Sequence, residues 1–186
     1  FAGIGVLMAI HWVTFFESIK LSNVTVGLSA LSTTAFFTSM IEPLVFRKKI
    51  SYVEVVLGLL VITGLVLIFQ FGGTDIIAGI LVGLFSALVV ACASVWNKSV
   101  VEKSSNVYSM VLIEFAAGVL FLSALMPLYW QTSYAAGTLI PGWYDFILLL
   151  ILALLCTTLA YSLNMRALKQ LSAFASNLLI NLEPIY

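Results

Sequence analysis

Residues 55–69 read VVLGLLVITGLVLIF, a run in which two glycines and one threonine interrupt an otherwise aliphatic sequence. Polar and apolar residues do not alternate here, as they do in the strands of a membrane β-barrel. The hydrocarbon core of a bilayer is about 30 Å thick, and a helix needs about 20 mostly apolar residues to cross it. The run therefore predicts a transmembrane α-helix, and similar runs recur along the chain.

The composition excludes the other broad classes of protein. Of the 186 residues, 62% are hydrophobic and only 9% are charged, too few to cover a water-soluble surface. A mean hydropathy of +1.16 excludes disorder. Eight basic residues balance eight acidic ones, so the chain has no basic field with which to hold a nucleic acid.

Seven apolar stretches lie between polar turns, and they predict an all-α, polytopic membrane helix bundle. We name them spans A (1–19), B (24–46), C (53–71), D (76–96), E (107–130), F (143–163) and G (172–186). Span A could be a signal peptide, but it lacks a basic start and a cleavage site, and it carries His11 and Glu17. The apolar beginning and end of the sequence lead us to expect a piece of a longer chain.

The basic residues predict the orientation of the bundle. Seven of the eight fall in the turns after spans B, D and F, whereas the turns after A, C and E hold only Lys20. They are Arg47, Lys48, Lys49, Lys98, Lys103, Arg166 and Lys169. Because basic turns are retained in the cytoplasm, we expect the turns after B, D and F to be cytoplasmic in a multi-pass protein of the inner (plasma) membrane.

The ends of spans A and F are similar to each other. FESIKLSNVTVGL (16–28) aligns with NMRALKQLSAFASNL (164–178), matching Lys20 with Lys169 and, after a one-residue gap, Ser22 with Ser172. The two spans are five crossings apart, so the two copies must enter the bilayer from opposite faces. This predicts an inverted repeat with a substrate site near the midplane. The alternative is chance similarity between two helix ends of like composition.

Three segments resemble the EamA-like family of the drug/metabolite transporter superfamily: HWVTFFESIKLSNVTVGLSAL (11–31), EPLVF (42–46) with its basic turn, and ALKQLSAFASNLLINLEPIY (167–186). The resemblance implies ten helices in two inverted five-helix units. Residues 1–75 would then be the third to fifth helices, the remainder of the first repeat, and residues 76–186 the sixth to ninth, most of the second. The first half departs from the pattern, since Thr33 and Thr34 stand where the second half has Glu183 and Pro184.

The resemblance also implies a secondary transporter that moves small organic metabolites, such as amino acids, often outward. The competing interpretation is an intramembrane structural or assembly subunit without transport activity. A third, an intramembrane enzyme, has no support from a phosphate-binding loop, a nucleophile elbow or zinc-ligand spacing. We therefore expect no enzymatic activity, no cofactor and no metal, with the lipid bilayer, a small-molecule substrate and coupled protons as partners.

Ionisable residues deep in a span are candidates for the transport path, because charge in hydrocarbon is costly. At about 1.5 Å per residue, Glu183 lies roughly 15 Å beyond Lys169 and His11 about 13 Å from the other face. They could form a proton-titratable or substrate-polarising pair. Alternatively, Glu183 bonds backbone freed by Pro184, and His11 makes only an interhelical hydrogen bond.

Further candidates are polar or aromatic residues that share a helix face or lie deep in a span. Glu114 is about 10 Å inside span E, and burial against another helix is its alternative role. For the amides and hydroxyls, interhelical hydrogen bonding without a ligand is the alternative, and for Trp12 it is core packing. The full predicted substrate-binding set is His11, Trp12, Ser32, Thr33, Glu114, Tyr161, Asn164, Asn177, Asn181 and Glu183.

Overall fold

A computed structural model of the chain describes residues 1–72, 76–104, 106–132 and 141–181. These residues form nine α-helices and one π-helical segment, with no strand among them. The helices are α1 (Ala2–Leu21), α2 (Val24–Ser32), α3 (Thr34–Phe46), α4 (Tyr52–Gly72), α5 (Ile77–Val101), α6 (Val107–Thr132), α7 (Trp143–Ile151), α8 (Ala160–Leu168) and α9 (Ala173–Ile180). The π-helical segment, Leu152–Leu159, joins α7 to α8.

The helices follow the predicted spans and confirm an all-helical membrane bundle. Five stretches of the described chain are long and apolar enough to cross a bilayer: Ala2–Leu21, Val24–Phe46, Ile77–Val101, Val107–Pro127 and Trp143–Leu168. Helix α4 covers span C, and α9 begins span G, whose last five residues lie outside the described chain.

Span B differs from the prediction, because it is interrupted at Thr33 between α2 and α3. The Thr33 hydroxyl donates to the carbonyl of Ala30 at 2.6 Å, and the Thr34 hydroxyl donates to Leu31 at the same distance. Such hydroxyls compete with the backbone amides for the carbonyls of the preceding turn. The interruption of span B is therefore explained by the hydroxyl groups of these two adjacent threonines.

Helices α1 and α5 lie against each other in opposite directions. The Ser18 hydroxyl donates to the carbonyl of Gly79 at 2.7 Å, and His11 Nδ1 lies 2.8 Å from Ser86 Oγ. A Cβ atom on Gly83 would lie 2.8 Å from Ser18 Oγ. The absent side chains therefore let the two helices approach closely, as a small-xxx-small pair does.

Helices α3 and α9 also run antiparallel, and hydrogen bonds join them along their length. The pairs occur in opposite order along the two segments: Glu42 with Phe174, Thr38 with Asn177, and Ser32 with Asn181. Helix α3 belongs to span B and α9 to span G, the spans that the predicted repeat would make equivalent. Antiparallel packing of equivalent helices is the geometry expected of an inverted repeat.

The N-terminal caps of α2 and α9 suggest a different register for the predicted repeat from the one in the sequence alignment. Asn23 caps α2 and Ser172 caps α9, and in each case the side-chain oxygen accepts the N–H of the residue three positions later. Asn23 follows Lys20 by three residues, and Ser172 follows Lys169 by three. The two turns therefore match without the gap that the sequence comparison introduced.

The basic turns after spans B, D and F meet at one end of the bundle. Lys98 donates to the carbonyl of Leu168 at 2.8 Å, and Lys169 donates to the carbonyl of Ser104 at 3.0 Å. The ends of α5 and α8 and the turn before α6 are thereby tied together. Lys20 lies at the end of α1, on the opposite side of the bundle, next to the start of α5.

The N-terminal half of span F packs against little of the described chain. In α7 and the π-helical segment, almost every side chain is exposed, and most of these side chains are leucine or isoleucine. Such a surface is stable in hydrocarbon, where the helical backbone satisfies its own hydrogen bonds. The polar contacts of this span belong instead to its basic end, in α8.

Candidate functional site

A buried acid, a tyrosine and an amide meet where α5, α6 and α8 converge. The Tyr161 hydroxyl donates to Glu114 Oε2 at 2.7 Å and accepts from Asn97 Nδ2 at 2.8 Å. Glu114 and Asn97 are each only 1% exposed. Glu114 Oε1 and Asn97 Oδ1 have no hydrogen-bond partner among the described residues. We call Glu114, Tyr161 and Asn97 the acid network.

Packing against α1 fixes the position of Glu114. A Cβ atom on Gly5 would collide with the backbone carbonyl of Glu114, and one on Gly118 would lie 3.2 Å from the carbonyl of Gly5. The two glycines thus let α1 and α6 touch through their backbones. On the other side, the rings of Phe115 and Tyr161 lie 5.3 Å apart. The acid network is therefore packed on both sides, in agreement with the low exposure of Glu114 and Asn97.

A second polar group lies at the junction of α3, α5 and α9. Asn177 Nδ2 donates to Thr38 Oγ1 at 2.8 Å and to Ser94 Oγ at 3.2 Å. Asn177 and Thr38 are buried, and Ser94 is partly so. We call these three residues the amide cluster. Ser94 and Asn97 are three residues apart, so one face of α5 serves both groups.

Sequence reasoning missed Asn97, Ser94 and Thr38. Asn97 lies one residue past the predicted end of span D, next to Lys98. Its spacing of three from Ser94 was the signal that could have identified a polar face. Thr38 follows Thr34 by four residues, so the same reasoning would have placed both threonines on one face of span B.

The break in span B brings two predicted residues together. Asn181 Nδ2 donates to the backbone carbonyl of Ser32 at 2.8 Å, and Thr33 is fully buried beside it. The Ser32 hydroxyl donates to the carbonyl of Leu28 at 3.1 Å. Asn181 therefore satisfies backbone at a helix interruption, a requirement of irregular backbone at membrane depth.

His11 and Trp12 lie apart from these groups. Buried His11 contacts Ser86 through Nδ1, and the Ser86 hydroxyl donates to the carbonyl of His11 at 2.9 Å. This is the interhelical hydrogen bond that the sequence left as its alternative. Trp12 is 40% exposed, and its ring stacks on Phe16 at 5.7 Å.

The remaining two candidates have different outcomes. Asn164 accepts a hydrogen bond from the Ser176 hydroxyl at 2.6 Å, which links α8 to α9 across their short turn. Glu183, with Pro184, lies outside the described residues, so its proposed pairing with His11 stays a prediction.

The start of α9 is held by an acid from α3. Glu42 is buried, and its Oε2 accepts the N–H of Phe174 at 2.9 Å, while its Oε1 lies 3.8 Å from Lys48 Nζ. A carboxylate at a helix N-terminus satisfies a free amide and is favoured by the helix dipole. Nearby, Lys98 donates to Glu102 at 2.8 Å and holds the pKa of that exposed carboxyl below its ordinary value.

Among the described residues, no three His, Cys, Asp or Glu side chains come close enough to hold a metal ion. The acid network and the amide cluster instead offer oxygen and nitrogen atoms suited to hydrogen bonding and proton exchange. Both groups are enclosed by apolar helices.

These features define a multi-pass α-helical membrane protein in which buried polar groups join antiparallel helices. Residues 77–186 match the EamA-like transporter family, and this match covers more than half of the chain. The chain therefore belongs to the EamA-like transporter family, part of the drug/metabolite transporter superfamily. It matches no curated protein and no solved structure.

Proposed function

We propose that the protein is a secondary transporter that exports small organic metabolites, such as amino acids, by alternating access. The observation that carries the proposal is the acid network, in which Glu114 is buried in an otherwise apolar bundle. An ionisable group in hydrocarbon costs about 2.5–3.5 kcal/mol on insertion scales, so it is seldom retained without a use. Membership of a transporter family supports the same conclusion.

The arrangement of the equivalent helices supports alternating access. Spans B and G pack antiparallel, and the turns that precede them carry matched caps at Asn23 and Ser172. We propose that residues 1–75 and 76–186 belong to two inverted repeats, the first represented by its third to fifth helices and the second by its sixth to ninth. Rocking of the two units would then expose the site to each side of the membrane in turn.

In this proposal the substrate binds between the acid network and the amide cluster. Tyr161 and Asn177 would contact it, since both present polar atoms that already exchange hydrogen bonds with more than one helix. His11, Trp12 and Glu183 stay candidates for the remainder of the path. The basic turns would face the cytoplasm, and the membrane would be the plasma membrane.

Flux through proteoliposomes tests the proposal. The purified protein is reconstituted, and uptake and efflux of a panel of amino acids and related metabolites are measured. We expect saturable flux of at least one solute, lost in Asn177→Ala and Tyr161→Phe but retained in the control Glu17→Gln, whose exposed side chain pairs with Lys20.

The competing function, a structural subunit, predicts a different result. If Asn177 and Tyr161 only hold helices together, the parent protein moves none of the solutes, and changes at these residues affect thermal stability alone. Absence of flux across the whole panel, in protein shown to be folded, would therefore contradict the transporter and favour the structural subunit.

A further inference from the structure

Two buried glutamates in the bundle have different surroundings. Both oxygens of Glu42 face a donor, the N–H of Phe174 and the ammonium group of Lys48. Glu114 has one donor, the Tyr161 hydroxyl at Oε2, and its Oε1 is buried without any partner in the described chain. Ionised Glu42 therefore has a donor for each oxygen, whereas Glu114 lacks a donor for Oε1 among the described residues.

The acid network contains a second buried oxygen without a partner, on Asn97. Asn97 is joined to the Glu114 carboxyl through the Tyr161 hydroxyl, and its Oδ1 is buried without a partner among the described residues. The Tyr161 hydroxyl has a single proton, which it gives to Glu114. If the Asn97 amide were turned over, its Oδ1 would lie at the Tyr161 hydroxyl, whose one proton would then have two acceptors, Glu114 Oε2 and Asn97 Oδ1. The network therefore lacks one donor in either orientation of the amide.

Charges around Glu114 do not supply what is missing. From α8 it faces Tyr161, and from α1 it faces the backbone of Gly5. From α5, the ammonium group of Lys98 is already bound to Glu102 and to the carbonyl of Leu168. No ion pair with Glu114 occurs in the described ranges.

We propose that Glu114 is a proton-binding site, and that in this packed conformation its carboxyl group is neutral, with the proton on Oε1 and available to Asn97 Oδ1. Protonation requires no cavity, which suits a site with almost no accessible surface. Protonation turns Glu114 Oε1 from an unpartnered acceptor into a donor for Asn97 Oδ1, and it removes the buried charge. Tyr161 and Asn97 are positioning residues that hold the carboxyl group.

The role of this proton rests on the transporter proposed above. When the site opens to water on one side, Glu114 takes up a proton from the solvent and becomes neutral. When the site opens to the other side, the proton returns to water there and leaves a carboxylate. One proton would therefore cross per cycle, and a pH gradient would drive the solute.

Infrared difference spectroscopy tests protonation without any assay of transport. We expect the purified protein at pH 7 to show the carbonyl stretch of a protonated carboxylic acid, and we expect Glu114→Gln to lack it. Glu42→Gln is the matched control, since it removes a buried acid that has donors at both oxygens, and it should leave the band unchanged. Tyr161→Phe should shift the band, because the hydrogen bond to Oε2 is lost.

Several outcomes would overturn the proposal. Absence of the band in the parent protein, or a band of unchanged intensity in Glu114→Gln, would mean that Glu114 is ionised. If Glu114→Gln fails to fold, Glu114→Asp replaces it: the band should persist at a shifted position, and an unshifted band would assign it to another acid.

The transport arm separates this inference from the proposed function. In proteoliposomes, an imposed pH gradient should raise flux several-fold in the parent protein, and Glu114→Gln should lose this response to the gradient. A carboxylic acid band without any flux would contradict the transporter and leave the proton site standing. Flux that ignores the gradient would overturn the coupling role.

Discussion

Tyr161 is the residue on which the acid network depends, because its hydroxyl both donates and accepts. It joins an acid on α6 to an amide on α5, and its ring packs against Phe115. Each interhelical hydrogen bond within a membrane protein is worth about 0.6–2 kcal/mol, and a buried group left without a partner costs about 1–3 kcal/mol. A single oxygen atom therefore has a measurable effect.

We predict that Tyr161→Phe lowers the stability of the folded protein by about 1–3 kcal/mol, because Asn97 Nδ2 and Glu114 Oε2 each lose a partner. The midpoint of thermal unfolding in detergent measures the change. Tyr108→Phe is the control, since Tyr108 is exposed and its ring would still face Arg166. Equal shifts in the two variants would contradict the role given to the Tyr161 hydroxyl.

At the scale of elements, glycine contacts determine how closely the helices approach. Gly5 lies against the carbonyl of Glu114, Gly79 against Ser22, and Gly83 against Ala30. Without a hydrophobic force between helices in lipid, such close backbone packing is a main source of helix association. The position of α6 relative to α1, and with it the site of Glu114, depends on Gly5.

We predict that Gly5→Ala destabilises the protein by about 1–3 kcal/mol, because the new methyl group would have to displace the α6 backbone. Gly64→Ala is the matched control, for a Cβ atom there meets nothing within 4 Å. That variant should be neutral or more stable by up to about 1 kcal/mol, since alanine is the better helix former. Thermal unfolding of both variants checks the difference, and similar behaviour would contradict the packing argument.

The start of α9 is also decided by a contact between elements. We predict that Glu42→Ala speeds hydrogen exchange at the Phe174 amide at least several-fold, because that amide loses its acceptor and the helix loses an anion near its positive end. Glu42→Gln keeps an acceptor and should show a smaller effect. Exchange measured by mass spectrometry should leave α5 unaltered, and an unchanged Phe174 amide would disprove the contact.

At the scale of the whole molecule, seven basic residues define one end of the bundle. The contacts of Lys98 and Lys169 tie together the turns after spans D and F, and Lys20 lies at the far end. Basic turns that are separate in the sequence thus lie together in the folded protein. We propose that this end faces the cytoplasm, because basic turns tend to stay inside.

Labelling of single cysteines tests this orientation. In a variant with Cys92 and Cys156 replaced, we expect Lys49→Cys and Lys103→Cys to react with a membrane-impermeant maleimide only from the cytoplasmic side. Lys20→Cys should react only from the outside. Blocking by a second reagent, before and after the cells are opened, distinguishes the sides. The reverse pattern would require the opposite orientation and a new interpretation of the charges.

The sequence by itself determined the class of fold, because run length and hydropathy are local properties that a bilayer imposes on every helix. It located most of the candidate side chains as well, including Glu114, Tyr161 and Asn177. It also predicted a repeat, although the caps at Asn23 and Ser172 place the register one residue away from the alignment.

Only the tertiary structure decided which of these side chains meet. The acid network joins residues 97, 114 and 161, and nothing in the local pattern states that three separate helices bring them within hydrogen-bond distance. That outcome depends on helix rotation and approach, which are fixed by contacts such as Gly5 with Glu114. Insertion into the membrane depends on each helix separately, so the local sequence determines it. Contacts between side chains of different helices depend on how the helices pack, so only the fold determines them.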